Sequence, residues 1–168
     1  MVRHPDESEE HVGPPPCMIY VDKDGAWFHK GAPIIHRELV LLFYQSLCLD
    51  EYGHYIIKLK EQVCRLDVED TPFVVVRTGF AAAAGDGEKD GFILHLIDDT
   101  KEELDPDTLS IGAAHVLYCK IRGGSFTARF SRPSYYQLAE YVQEEPETGR
   151  HFLSLNNKKY YVEKTPKK

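Results

Sequence analysis

No apolar run in this 168-residue chain approaches the roughly 20 residues that a membrane-spanning helix needs. No signal-peptide pattern opens it either, so cytoplasm is the expected compartment. Metal-binding spacing is equally scarce. The eight histidines include no H-x-x-x-H or H-x-H pair and the four cysteines no C-x-x-C pair, which argues against a dedicated zinc site. The glycine-rich segment 85–91 lacks the Gly-Lys-Ser/Thr ending of a P-loop. As a calcium loop it fails at Ile97, where a bidentate carboxylate is required. There is no G-x-S-x-G elbow. No cofactor is implied, and enzyme signatures are thin.

What is present is a chain of ordinary globular composition, 42% hydrophobic and 28% charged, long enough to bury its own core. Net charge is −7, which argues against general nucleic-acid coating. The charge is unevenly placed. Residues 1–111 hold 10 Lys/Arg against 22 Asp/Glu, whereas residues 112–168 hold 10 against 5. That asymmetry leaves room for a local anion site in the C-terminal half, or for contact between unlike halves. Cys17, Cys48, Cys64 and Cys119 read as buried free thiols of a reducing compartment, since three of them lie in apolar stretches.

Patterning divides the chain into an acidic, Pro-rich tail (1–16), two α+β subdomains (17–97 and 98–163) and a basic frayed end (164–168). In the first subdomain, strands at 18–21 and 26–29 flank an Asp-Gly turn. A helix spans about 36–49, with Leu39, Leu42, Phe43, Ser46 and Leu47 on one face. Strands follow at 55–59, 63–68, 73–78 and 92–97. In the second, strands at 115–121 and 125–130 flank Gly123-Gly124. Residues 131–134 open a helix that Ser131 or Ser134 can cap and that runs until Pro146 and Gly149, with Tyr135, Leu138, Ala139 and Val142 on one face. A hairpin around Asn156-Asn157 closes the chain. The two halves repeat the order hairpin, helix, hairpin, and residues 53–59 echo residues 149–155. Duplication and chance both account for that echo.

The Gly123-Gly124 hairpin is the most informative element. Its register puts Leu117, Cys119, Ile121, Phe126, Ala128 and Phe130 on one face. Tyr118, Lys120, Arg122, Ser125, Thr127 and Arg129 share the other. Arg132 follows at a helix start, where anions are favoured. This set suits a phosphate or carboxylate; the alternative is a wet sheet face or ion pairs with acids elsewhere. A second cluster, Trp27, His29, His36 and Arg37, suits an aromatic, protonatable pocket wall, or alternatively a core tryptophan with surface histidines.

Residues 22–29 (DKDGAWFH), Gly31-x-Pro33-Ile34, Val68-Glu69-Asp70-x-Pro72-Phe73, residues 121–124 (IRGG), Ala128-Arg129 and Arg132-Pro133 occur in the order typical of domain of unknown function 1285. The chain resembles that family over about residues 18–162. The resemblance implies duplicated α+β halves, a C-terminal half superficially like a pleckstrin-homology domain, and a ligand cleft between the halves. It also implies a nucleotide-like ligand and a role in signal transduction, without a proven activity. The chain departs from the family pattern at His36, where Arg is usual, and across residues 59–63.

The expectation is thus a non-catalytic binding or regulatory module for a small anionic ligand, using Trp27, His29, His36, Arg37, Arg122, Arg129 and Arg132. A protein-interaction or oligomerising module is the second reading. A phosphoester hydrolase using His29 or His36 with Asp70 is the third.

Overall fold

The computed structural model describes residues 13–165; most of the expected acidic tail and the last three residues lie outside that range. The chain is mostly strand with two helices, an α+β protein. No helix among the described residues is long and apolar enough to cross a membrane. The fold divides into two compact units. One comprises residues through Val21 with Ala26–Glu69, the other Asp22–Gly25 with Asp70 onward.

The first unit holds β1 (Pro16–Val21), β2 (Trp27–His29), β3 (Ala32–Pro33), α1 (Arg37–Ser46), β4 (Leu47–Leu49), β5 (Tyr55–Leu59) and β6 (Gln62–Val68). They form one sheet in the order β3-β2-β1-β6-β5-β4. The turn between β1 and β2 forms as its sequence requires. The Gly25 N–H donates to the Asp22 carbonyl, and the Asp22 side chain accepts from the Asp24 N–H. The chain then crosses through α1 and a β4-β5-β6 meander before β6 pairs parallel with β1, Val21 opposite Val68.

Three expectations change here. First, the helix is shorter than 36–49. It stops at Ser46, because Leu47–Leu49 gains more by pairing with β5, Leu47 opposite Ile57, than by another helical turn. Second, its buried side chains are Val40 and Tyr44, one turn apart, while Leu39 and Leu42 stay 39% and 42% exposed. Third, Cys17 and Cys64 are not free thiols. They are joined as a disulfide with Cα atoms 5.0 Å apart, brought together by the parallel β1–β6 pairing. With two of the four sulfurs oxidised, the cysteines no longer argue for a reducing compartment.

The second unit holds β7 (Phe73–Ala81), β8 (Gly91–Leu96), β9 (Lys101–Glu103), β10 (Ser110–Ile111), β11 (Leu117–Ile121), β12 (Phe126–Phe130), α2 (Arg132–Ala139), β13 (Val142–Glu144), β14 (His151–Leu155), β15 (Lys158–Tyr161) and β16 (Glu163–Lys164). Seven strands form a sheet in the order β16-β10-β11-β12-β7-β8-β9, and β13-β14-β15 form a small meander. Because β7 pairs parallel with β12, Phe73 opposite Ala128, the boundary falls after Glu69 rather than after residue 97. The buried face of this sheet carries Phe73, Val75, Leu94, Cys119, Ile121, Ala128 and Phe130.

Of the two serines able to cap it, Ser131 is the N-cap of helix α2 and accepts from the Ser134 N–H. It ends at Ala139, well before Pro146, because Val142–Glu144 pairs with β14, Val142 opposite Leu153. Two serines fasten its start to β7. The Ser131 N–H and the Ser134 hydroxyl both donate to the Val75 carbonyl, at 3.0 and 2.7 Å.

Candidate functional site

The β11–β12 hairpin keeps the register read from its sequence, with Tyr118 opposite Arg129, Cys119 opposite Ala128 and Ile121 opposite Phe126. Positive φ at Gly123 (66°) and Gly124 (89°) is why glycines stand there. The ladder closes at Ile121–Phe126, so Arg122, itself at φ 51°, belongs to the turn instead of the polar face. Its guanidinium lies over the Phe73 ring, 4.6 Å from the centroid, and donates to Asp98 Oδ2 at 2.7 Å. Arg122 therefore does not join the expected cationic patch; it neutralises a buried carboxylate.

On the polar face itself, Lys120 Nζ donates to the Thr127 hydroxyl at 2.8 Å. Arg129 Nη1 and the Tyr118 hydroxyl both donate to Asp70 Oδ2 at 2.8 Å. Burial, reinforced by the Asp70 carboxylate, pushes the Tyr118 phenol up to about 12, so it stays a donor. The Asp70 carboxylate thus orients Arg129, with its Oδ2 shared by the two donors.

Arg129 and Arg132 line one concavity of about 740 Å³ in the second unit, together with Lys23, Asp24 and His115. Its floor is apolar, including Val74, Val76 and Leu117, and one wall carries Tyr135 and Tyr136, whose rings meet edge-on at 5.4 Å. Arg132 is exposed and has no ion pair among the described residues. The α2 terminus contributes less than a free helix start would. Pro133 has no N–H, and the N–H groups of Ser134 and Tyr135 already bond to Ser131. Lys23 and His115 were not among the sequence candidates. His115 sits in a segment read as strand, and Lys23 in a turn, so neither pattern announced a pocket wall.

The Trp27 cluster resolves differently. Trp27 is 3% exposed, packed on Phe43 and Tyr44 with centroids 5.7 and 5.0 Å away, and its indole N–H finds no acceptor among the described residues. It is a core residue, closed to a stacking ligand. His29 and His36 line a separate, mainly apolar groove of about 500 Å³ in the first unit, beside the disulfide. Arg37 is exposed at the first position of α1 and does not line it.

Cys119 is the one strongly shifted thiol. Burial, with Glu102 and Asp105 adding to it, pushes it from 9.0 to about 12. The folded chain keeps this proton after the unfolded chain has released it. Its stabilisation is therefore complete below pH 9 and is lost as pH rises towards 12, by roughly 4 kcal/mol at the upper end. Thermal melts of Cys119→Ala between pH 8 and 10.5 should fall less steeply than those of the unaltered protein. Parallel curves would show the thiol to be uninvolved.

The fold and these concavities define a two-unit α+β protein with a basic, aromatic-walled concavity in its second unit. No protein-family model and no curated protein matches its sequence. Its fold does match solved structures. The backbone is similar to a DUF1285 family protein from Silicibacter pomeroyi, with TM-score 0.71 and 21% identity, covering 96% of this chain and 90% of that one. It is also similar to a DUF1285 family protein from Shewanella baltica, with TM-score 0.58 and 17% identity, covering 73% and 91%. The chain has the fold of DUF1285 family proteins, the family its motifs resemble.

Proposed function

We propose that this protein is a non-catalytic binding or regulatory module, acting in signal transduction, whose second unit takes a small anionic, nucleotide-like ligand beside Arg129 and Arg132. The observation that carries this reading is a guanidinium already oriented by Asp70 and Tyr118, in the same concavity as an arginine with no acidic partner among the described residues. Preorganised arginines bind phosphate or carboxylate oxygens at low entropic cost. The exposed Tyr135 and Tyr136 rings supply a surface for a base or other flat group. Duplication of the halves fits the repeated order of hairpin, helix and three-strand meander, with Gly53 and Gly149 both at positive φ before the central meander strand.

Arg132→Ala is the clean test, because that side chain is exposed and forms no ion pair among the described residues. Thermal shift with inorganic phosphate and adenosine monophosphate should stabilise the unaltered protein and should lose at least most of that shift in Arg132→Ala, with an unchanged melting point in buffer. A full ligand response in the variant removes the assignment.

A protein-interaction or self-associating role is favoured by one observation. Ile35 is 85% exposed and Leu39 39% exposed at the groove of the first unit. Light scattering should then show mass rising with concentration. A constant monomer mass would rule out self-association.

A further inference from the structure

The basic concavity has an apolar neighbour in the same unit. A second pocket, of about 210 Å³, is bounded by Leu109, Leu138, Ala139 and Val142, and it shares three residues with the first: His115, Leu117 and Tyr135. The loop that carries His115 is held in an unusual conformation. Ala114 and His115 are both in the left-handed region, at φ 55° and 59°, which non-glycine residues rarely adopt. Such backbone persists only where its surroundings hold it. Here the Gly112 N–H donates to the Val116 carbonyl at 2.8 Å, and Gly112 lies so close to the Tyr118 ring that a Cβ would stand 2.7 Å from it. Tyr118 in turn is fixed by the carboxylate that orients Arg129. One chain of contacts therefore positions both Arg129 and the shared wall.

We infer that the ligand is an amphipathic anion, its charged group on Arg129 and Arg132 and its apolar body in the pocket behind Leu117 and Tyr135. This rests on the anion site proposed above and narrows its ligand class. Cations beside an apolar pocket recognise a molecule carrying both characters, whereas a bare anion leaves the pocket unused. Size narrows it further. An apolar cavity of about 150 Å³ accommodates benzene, so one of about 210 Å³ takes a single substituted ring or a short acyl chain.

Isothermal titration with inorganic phosphate, phenyl phosphate, acetate and benzoate tests this. The aryl member of each pair should bind at least tenfold more tightly than its small counterpart. The phosphate and carboxylate pairs tell which head group is used. Ala139→Leu, which fills the pocket, should erase the aryl advantage and leave phosphate binding unchanged, while Arg132→Ala should weaken all four. Should Ala139→Leu fold poorly, methyl resonances of Leu138 and Val142 in the unaltered protein should move with phenyl phosphate and not with phosphate. Equal affinities within each pair, or still methyls, would overturn the amphipathic inference while leaving the anion site standing. No binding by any of the four would remove both.

Discussion

Replacing Arg122 with alanine is expected to destabilise the second unit by about 3–5 kcal/mol, the cost of stripping a buried carboxylate of its counter-charge. The Asp98 side chain is 2% exposed, against 30% for Arg122, and the guanidinium is its only cationic partner among the pairs described. The Asp98 carboxylate also accepts from the Thr100 N–H, so that turn loosens with it. The loss also includes the ring contacts with Phe73 and Phe126. The double variant Arg122→Leu, Asp98→Asn should recover much of the stability, because no uncompensated charge remains. Urea denaturation of the parent, Arg122→Leu, Asp98→Asn and the double variant closes a double-mutant cycle that measures the coupling. Ligand affinity per folded molecule should not change in Arg122→Ala. A variant as stable as the parent, or one that folds normally but loses phosphate binding, would return Arg122 to the ligand site.

Removal of the Cys17–Cys64 disulfide is the second large effect. The cysteines are 47 residues apart. Freeing a loop of that length raises the entropy of the unfolded chain, and the chain-entropy relation gives about 4 kcal/mol, with 2–4 typical of measured cases. The first unit should show it, since both cysteines and the β1–β6 pairing lie there. Denaturation of Cys17→Ser, Cys64→Ser beside the parent, each with and without reductant, separates the bond from the side-chain change. The parent should be weakened by reductant and the double variant should not respond. Identical parent curves in the two conditions would mean that the sulfurs are not bonded in solution. The same bond sets one side of the groove that holds His29 and His36, so its loss should also alter whatever that groove receives.

The candidate ligand residues divide by the range of the forces that place them. Arg129 was legible because the Gly123-Gly124 turn sets the register of a hairpin only a few residues long, and register alone decides which side chains share a face. Arg122, one residue before the same glycines, was not. Whether a residue at the ladder's end continues the strand or joins the turn depends on what awaits its side chain, here Asp98 and Phe73 from other strands. Trp27 is the opposite case: its pattern fitted a pocket wall as well as a core, and only the stacking of Phe43 and Tyr44 from α1 closes it off.

Local chemistry in the chain by itself determined the Asp22–Gly25 turn, strand β5, the β11–β12 register and a serine cap at the start of α2, because each depends on neighbours within a few residues. Tertiary structure alone decided the rest: the ends of both helices, where short strand pairings with β5 and β14 outcompete another helical turn; the transfer of β7 to the second unit; and the union of Cys17 with Cys64. Those outcomes require segments tens of residues apart to meet, and the free energy that favours the meeting comes from shared burial and cross-strand pairing, which no single stretch of sequence contains.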